Sequence, residues 1–136
     1  ARREDSDMAK SYYVKFETPS NLVSPILEAV KASAQTGKVK KGTNEVTKAI
    51  ERGQSKLVIV AEDVEPPEVV AHLPILCDEQ GVNYAFVPSK QDLGKALGID
   101  IIAAAAAIVD PGESKQIVEQ VIQSISDIRG GGGGDK

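Results

Sequence analysis

The chain has 136 residues, with 16 Lys and Arg against 20 Asp and Glu, a formal charge of −4 and a pI near 5.0. A hydrophobic share of 41% suffices for one core, and the length fits one domain. The longest apolar run, Ile101 to Val109, falls well short of the roughly 20 residues of a membrane-spanning helix, and a lone Cys77 beside a lone His72 excludes both an internal disulfide and a Cys/His zinc site.

Residues 1–10 begin with an almost wholly polar stretch ahead of Met8 and are expected to be an unstructured extension. The folded domain is expected over residues 11–129. Leu22, Val23, Ile26, Leu27 and Val30 repeat at helical spacing between a Pro19-Ser20-Asn21 start and Gly37. A second helix is predicted from Thr43 to Arg52, with Val46, Ala49 and Ile50 as its apolar face and Gly53 closing it. Leu57 to Ala61 is a continuous apolar strand of the kind buried on both faces. Pro66 to Gln80 reads as two short helical pieces interrupted by Pro74. Tyr84 to Val87 is a strand, and Ser89 with Asp92 three residues on caps a helix that Gly98 stops.

The run Ala103 to Ala107 is flanked by β-branched residues and ended by Asp110-Pro111-Gly112, so its first half reads as loop and its second as strand. Ile117, Val118, Val121, Ile122, Ile125 and Ile128 make a final amphipathic helix. The glycine run Gly130 to Gly134 has maximal chain entropy and no side chain to bury, so residues 130–136 are expected to form a disordered tail. The alternation of elements predicts an α/β fold, a three-layer α/β/α sandwich around a mixed sheet of about four strands.

No basic start leads into an apolar secretory segment, so a cytoplasmic protein without a membrane partner is expected. The acidic total argues at first against nucleic acid, but the charges are segregated. The window Lys38–Lys56 carries +4, whereas Glu62–Asn83 carries −6 with no Lys or Arg. Because screening acts over about 8 Å at physiological salt, a local basic patch can bind an anion on an acidic protein.

Gly37 to Thr43 has the glycine spacing of a P-loop but lacks the following Lys-Ser/Thr, and a helix rather than a buried strand precedes it. What remains is a lysine-rich stretch (Lys40, Lys41) running into a helix N-terminus, whose unpaired amides suit phosphate. On that helix Asn44, Glu45, Lys48 and Arg52 share roughly a third of the circumference. Asn and Lys donate to base acceptors and a carboxylate accepts from base amino groups, so RNA or DNA readout stands beside a bare solvent-exposed face. Asp63 either caps the next helix or holds a nearby cation, or marks a strand-end site. Lys90 is a surface residue or a phosphate contact, and His72 and Cys77 read as structural.

The run Lys40-Lys41-Gly42-Thr43-Asn44-Glu45-Val46-Thr47-Lys48-Ala49-Ile50-Glu51-Arg52-Gly53 closely resembles the signature of the kink-turn RNA-binding ribosomal protein family. The likeness continues through Leu57–Asp63, Val70–Pro74 and Val87–Gly94, covers about Val14 to Val109, and is greatest to the archaeal branch. The resemblance implies binding without catalysis or cofactor. The target is a bent internal loop beside tandem sheared G·A pairs. Asn44, Glu45 and Lys48 match the residues that contact the guanines. Lys41, Gly42 and Thr43 match backbone contacts, and Lys90 matches another RNA-facing lysine. Ile99, Asp100, Ile101, Ile102 and Ala103 match the loop that covers a flipped-out nucleotide, an unstacked base being suited to apolar contact.

The implied partners are kink-turn RNAs, namely 23S rRNA, box C/D and box H/ACA guide RNAs and ribonuclease P RNA, together with protein subunits of those particles; alone, the chain is expected to be a monomer. The competing classes are a small α/β enzyme with a strand-end Asp63/Lys90 site and a scaffold that binds only protein. The acidic segment Glu62 to Glu79 is expected to face a protein partner. Reversing the charges of Glu65 and Glu68 is then expected to weaken assembly while sparing RNA affinity, and equal loss of both in a reconstitution assay rejects this assignment.

Overall fold

The computed structural model describes residues 12–134, with side chains through Arg129. The expected extension over residues 1–10 lies outside the described residues. The elements run α1 (Ser20–Thr36), β1 (Lys38–Lys41), α2 (Thr43–Glu51), β2 (Leu57–Ala61), a 3-10 turn (Pro67–Val69), α3 (His72–Gln80), β3 (Asn83–Val87), α4 (Lys90–Ala96), β4 (Ala105–Asp110), a second 3-10 turn (Gly112–Ser114) and α5 (Lys115–Gly134).

The sheet order is β1-β4-β2-β3. β2 and β3 pair in parallel, from Leu57 opposite Asn83 to Ala61 opposite Val87. β4 is antiparallel to both neighbours, with Val60 opposite Ala105 and Lys41 opposite Ala106. Three strands therefore run one way and β4 the other, giving the mixed four-stranded sheet expected.

Alternation along the strands builds the two outer layers. Val58, Val60, Tyr84, Phe86, Ala105 and Ala107 face a core completed by Val46, Ala49 and Ile50 of α2 and Leu73 and Cys77 of α3. Leu57, Ile59, Ala85, Val87, Ala106 and Ile108 face the opposite core, with α1 (Ile26, Ala29, Val30), α4 (Leu93) and α5 (Val118, Val121, Ile125). Every residue of β2 is buried, as its unbroken apolar sequence requires.

Three local features differ from the sequence expectation, and one ambiguous run resolves as expected. Lys38–Lys41 forms an edge strand, which three lysines around a single valine do not signal; its order comes from pairing with β4. The break in the Pro66–Gln80 region falls before His72 rather than at Pro74. Pro74 is the third residue of α3, where the missing N–H lies among those that have no intrahelical acceptor. Across the alanine run the strand starts at Ala105, as expected, because both faces of β4 are covered and pairing on two sides outweighs alanine's helix preference. Finally, the helical backbone of α5 continues through Gly134, beyond the end expected at Arg129. Extending an existing helix costs far less than starting one.

Aromatic contacts tie the ends of the chain to β3. Phe16 packs against Tyr84 and Phe86 at centroid distances of 5.9 and 5.2 Å. The Arg129 guanidinium lies over the Phe16 and Tyr84 rings at 5.3 and 4.6 Å and also reaches Asp78, which accepts from the Tyr84 hydroxyl. Burial pushes both the Cys77 thiol and the Tyr84 phenol up to about 12, with the Asp78 charge adding to each. For an acid whose folded pKa is raised above 10.0, stability is intact below about pH 10 and declines as pH rises toward 12. Cys77 is accordingly expected to resist alkylation in the native protein at pH 8–9 and to react fully in denaturant; rapid native labelling, read by mass spectrometry, contradicts its burial.

Candidate functional site

The strand directions gather the carboxyl ends of β1, β2 and β3 and the amino end of β4 on one rim of the sheet. Backbone bonds register the segments leaving it. Gly42 N–H donates to Ala105 O at 3.0 Å, Ala61 N–H to Ala104 O at 3.0 Å, Glu62 N–H to Val87 O at 2.8 Å, and Ala103 N–H to Lys90 O at 3.0 Å. The rim thus carries the start of α2, the segment after β2, the start of α4 and the loop before β4. In open α/β sheets the carboxyl ends of strands are where ligands bind.

The start of α2 is the most polar part of this rim. Gly42 takes φ +88°, a left-handed conformation that turns the chain from β1 directly into the helix. Asn44, Glu45 and Lys48 project outward while Val46, Ala49 and Ile50 are buried. Lys48 Nζ lies 3.9 Å from Glu45 Oε2, with both side chains about half exposed, at 54% and 52%. Such a pair is worth little in water, roughly 0–1 kcal/mol, so both groups remain available to a ligand. Glu45 in the first turn also complements the helix dipole.

Lys41, Gly42, Thr43, Asn44 and Glu45 line a concavity of about 650 Å³ together with Val69 and His72. Neither Val69 nor His72 is marked as a site residue by local sequence. His72 Nε2 is 2.9 Å from Thr47 Oγ1, whose single hydrogen is donated to Thr43 O. His72 Nε2–H is therefore the donor to Thr47, pinning the start of α3 to the second turn of α2. The link spans 25 positions, beyond the reach of local pattern, and agrees with a structural role for this histidine.

The second part of the rim is apolar. Gln91, Lys95, Ile99, Asp100, Ile101 and Ile102 line a concavity of about 340 Å³. Ile101 and Ile102 are 72% and 51% exposed, unusual for isoleucine, whereas Ile99 packs partly on the core and Ala103 is buried. The loop thus offers two outward isoleucines rather than a uniform apolar face.

Between the two parts, Asp63 and Lys90 meet. The Lys90 N–H donates to Asp63 Oδ1 at 2.9 Å and Lys90 Nζ to Asp63 O at 3.2 Å. For Asp63, the helix capped is not the next one but the distant α4, and its backbone carbonyl also holds a cation, the Lys90 ammonium. The other members of the sequence-derived set are less central. Lys40 is half-buried on β1, and Arg52 follows the last turn of α2, roughly 13 Å from its start at about 1.5 Å per residue. Arg52 is thus on the same helix stripe as Asn44 and Lys48 but not at the rim.

A family model described as the ribosomal protein L7Ae/L30e/S12e/Gadd45 family matches residues 24–118. The chain is 76% identical over 123 residues to the large ribosomal subunit protein eL8 of Cenarchaeum symbiosum (strain A), covering 90% of this chain and 97% of that one. It is 71% identical over 124 residues to the eL8 protein of Nitrosopumilus maritimus (strain SCM1), covering 91% and 97%. Among solved structures, the 15.5kD RNA binding protein of Giardia lamblia superposes with a TM-score of 0.77 at 31% identity, covering 87% of this chain and 98% of that one. Among the described residues no helix is long and apolar enough to cross a membrane.

Gly42 has open space where a Cβ would stand, so its substitution is governed by backbone strain alone. Gly42→Ala is expected to lower stability by about 1–3 kcal/mol, the cost of a non-glycine residue at φ +88° and ψ 153°, measured by thermal or denaturant unfolding.

Proposed function

The chain belongs to the ribosomal protein L7Ae/L30e/S12e/Gadd45 family, and from that premise we propose that it is an RNA-binding component of the large ribosomal subunit that recognises kink-turn motifs with tandem sheared G·A pairs. The observation that carries this proposal is the meeting, on one sheet rim, of the exposed Asn44, Glu45 and Lys48 with the exposed Ile101 and Ile102.

A ligand for such a rim must offer anions, base edges and an unstacked apolar surface. Regular A-form RNA offers the first, but its deep, narrow groove hides most base edges from a helix end. A bent internal loop with sheared pairs offers all three. Glu45 excludes a purely phosphate-binding role, since a carboxylate repels phosphate; it accepts from guanine N1 and N2. Asn44 and Lys48 donate to the acceptor edges, and the Thr43 amide with the Lys41 ammonium serves the RNA backbone, while Gly42, its own N–H bonded to Ala105 O, leaves room for that backbone to approach. Lys90 supplies a further cation, and Ile101 and Ile102 cover the flipped nucleotide, with Ile99, Asp100 and Ala103 shaping the loop beneath. Lys40 and Arg52 extend the cationic stripe to flanking phosphates. Where phosphates crowd at the bend, these cations relieve their repulsion and select the bent form.

The same recognition supports roles in box C/D and box H/ACA guide-RNA particles and ribonuclease P, where the protein organises RNA as a monomer in the cytoplasm and other subunits perform the chemistry. The enzyme alternative at Asp63 and Lys90 is disfavoured because Asp63 Oδ1 caps α4 and the sequence supplies no nucleophile–base pair there.

Ala substitution of Asn44, Glu45 or Lys48 is expected to weaken binding to a kink-turn RNA by roughly 1–3 kcal/mol each, the value of a good base contact. A gel shift against the same RNA lacking its G·A pairs checks this, and unchanged affinity in all three variants rejects the assignment.

A further inference from the structure

We propose that Asp63 is a positioning residue for the RNA surface, holding Lys90 and, through it, the Ile99–Ala103 loop; the inference rests on the RNA-binding reading above. A carboxylate on a rim that receives phosphates is electrostatically unfavourable and needs a compensating role. The Asp63 carboxylate has one: Oδ1 accepts the first amide of α4, from Lys90, at 2.9 Å. The backbone carbonyl of the same residue separately accepts the Lys90 ammonium at 3.2 Å.

α4 has only seven residues and is marginal without help at its ends. Ser89 Oγ accepts from Asp92 N–H at 3.1 Å, so its amino end is capped twice, once locally and once from the segment after β2. One ammonium hydrogen of Lys90 is committed to Asp63 O, which leaves two for phosphate in an already ordered side chain.

The same residue anchors the loop. Lys90 O accepts Ala103 N–H at 3.0 Å, and Gly94 O accepts Ile99 N–H at 3.1 Å. At Gly94 a Cβ would collide with the Ile101 carbonyl oxygen, so α4 and the loop are in direct backbone contact. Asp63 thus reaches the exposed Ile101 and Ile102 through Lys90 and α4, although it touches neither isoleucine.

The test combines RNA binding with amide exchange. Lys90→Ala is expected to weaken binding to kink-turn RNA by roughly tenfold, the scale of one charge-assisted contact, and Asp63→Ala by a similar factor. Added to Lys90→Ala, Asp63→Ala is expected to cost no more than about twofold further, because coupled residues are not additive. Asp63→Asn keeps the carbonyl acceptor for the Lys90 amide, so it is expected to restore binding to within about twofold of the native protein. In the free protein, Asp63→Ala is expected to speed hydrogen exchange at the Lys90 and Ala103 amides, and Asp63→Asn to restore their protection.

Additive losses in the double variant, or native exchange at both amides in Asp63→Ala, overturn the proposal. Asn44→Ala on the same RNA separates the two levels. If it does not weaken binding, the RNA face itself is wrong, and amide exchange still decides whether the tether exists. If it does weaken binding while Asp63→Ala and Lys90→Ala add, only the positioning role fails.

Discussion

β4 pairs with β1 on one side and β2 on the other while helices cover both of its faces, and it runs against the other three strands. Its residues Ala105, Ala106 and Ala107 are fully buried, and side chains this small let α2 approach from one face and α1, α4 and α5 crowd the other. A close-packed interior leaves no room for larger groups without displacing a helix. The reversed direction of β4 also brings the loop before it to the rim reached by the chain leaving β1, β2 and β3. The geometry of the candidate surface follows from that one pairing.

The rim is held by backbone groups more than by side chains. Gly42, Ala61, Glu62 and Ala103 each direct an amide to a carbonyl on a neighbouring segment, so the connections are registered by the same kind of bond that makes the sheet. Side-chain links then fix the two helices that begin there. His72 and Thr47 join α3 to α2, and Asp63 joins the segment after β2 to α4. From the N-terminal side, the Tyr13 hydroxyl donates to Ala61 O at 2.7 Å and accepts Val64 N–H at 3.4 Å, bracketing the segment that presents Asp63. The candidate surface is therefore largely organised by the fold itself, and a preorganised surface lowers the ordering cost of an association.

Much of this is legible in the residues themselves, for reasons that differ by element. Leu57–Ala61 is apolar at every position because it lies between two helical layers, and the apolar face of α2 stands out because its other face is polar. Ser89 announces its helix by capping chemistry that acts over three residues. Legibility fails where order comes from distant partners. β1 owes its conformation to β4, some 65 or more residues away, and its own composition carries almost no strand signal. The helix break before His72 likewise follows from tertiary placement of α3. At the rim, the motif around Asn44, Glu45 and Lys48 is local, whereas the contributions of Val69, Tyr13 and Gly94 exist only once the sheet is assembled.

The two outer strands, finally, meet solvent differently from the two inner ones. An open sheet edge is a template on which a second chain can add a strand. β1 places Lys38, Lys40 and Lys41 along its edge, and an incoming strand would have to desolvate that charge. At the other edge, the Phe86 carbonyl of β3 is already taken by the Thr18 hydroxyl, and Phe16 with Arg129 lies across the Tyr84 side. Both templates are thereby blunted by means that involve neither Asn44 nor its neighbours. The candidate RNA face can thus stay polar and open while neither flank of the sheet invites polymerisation.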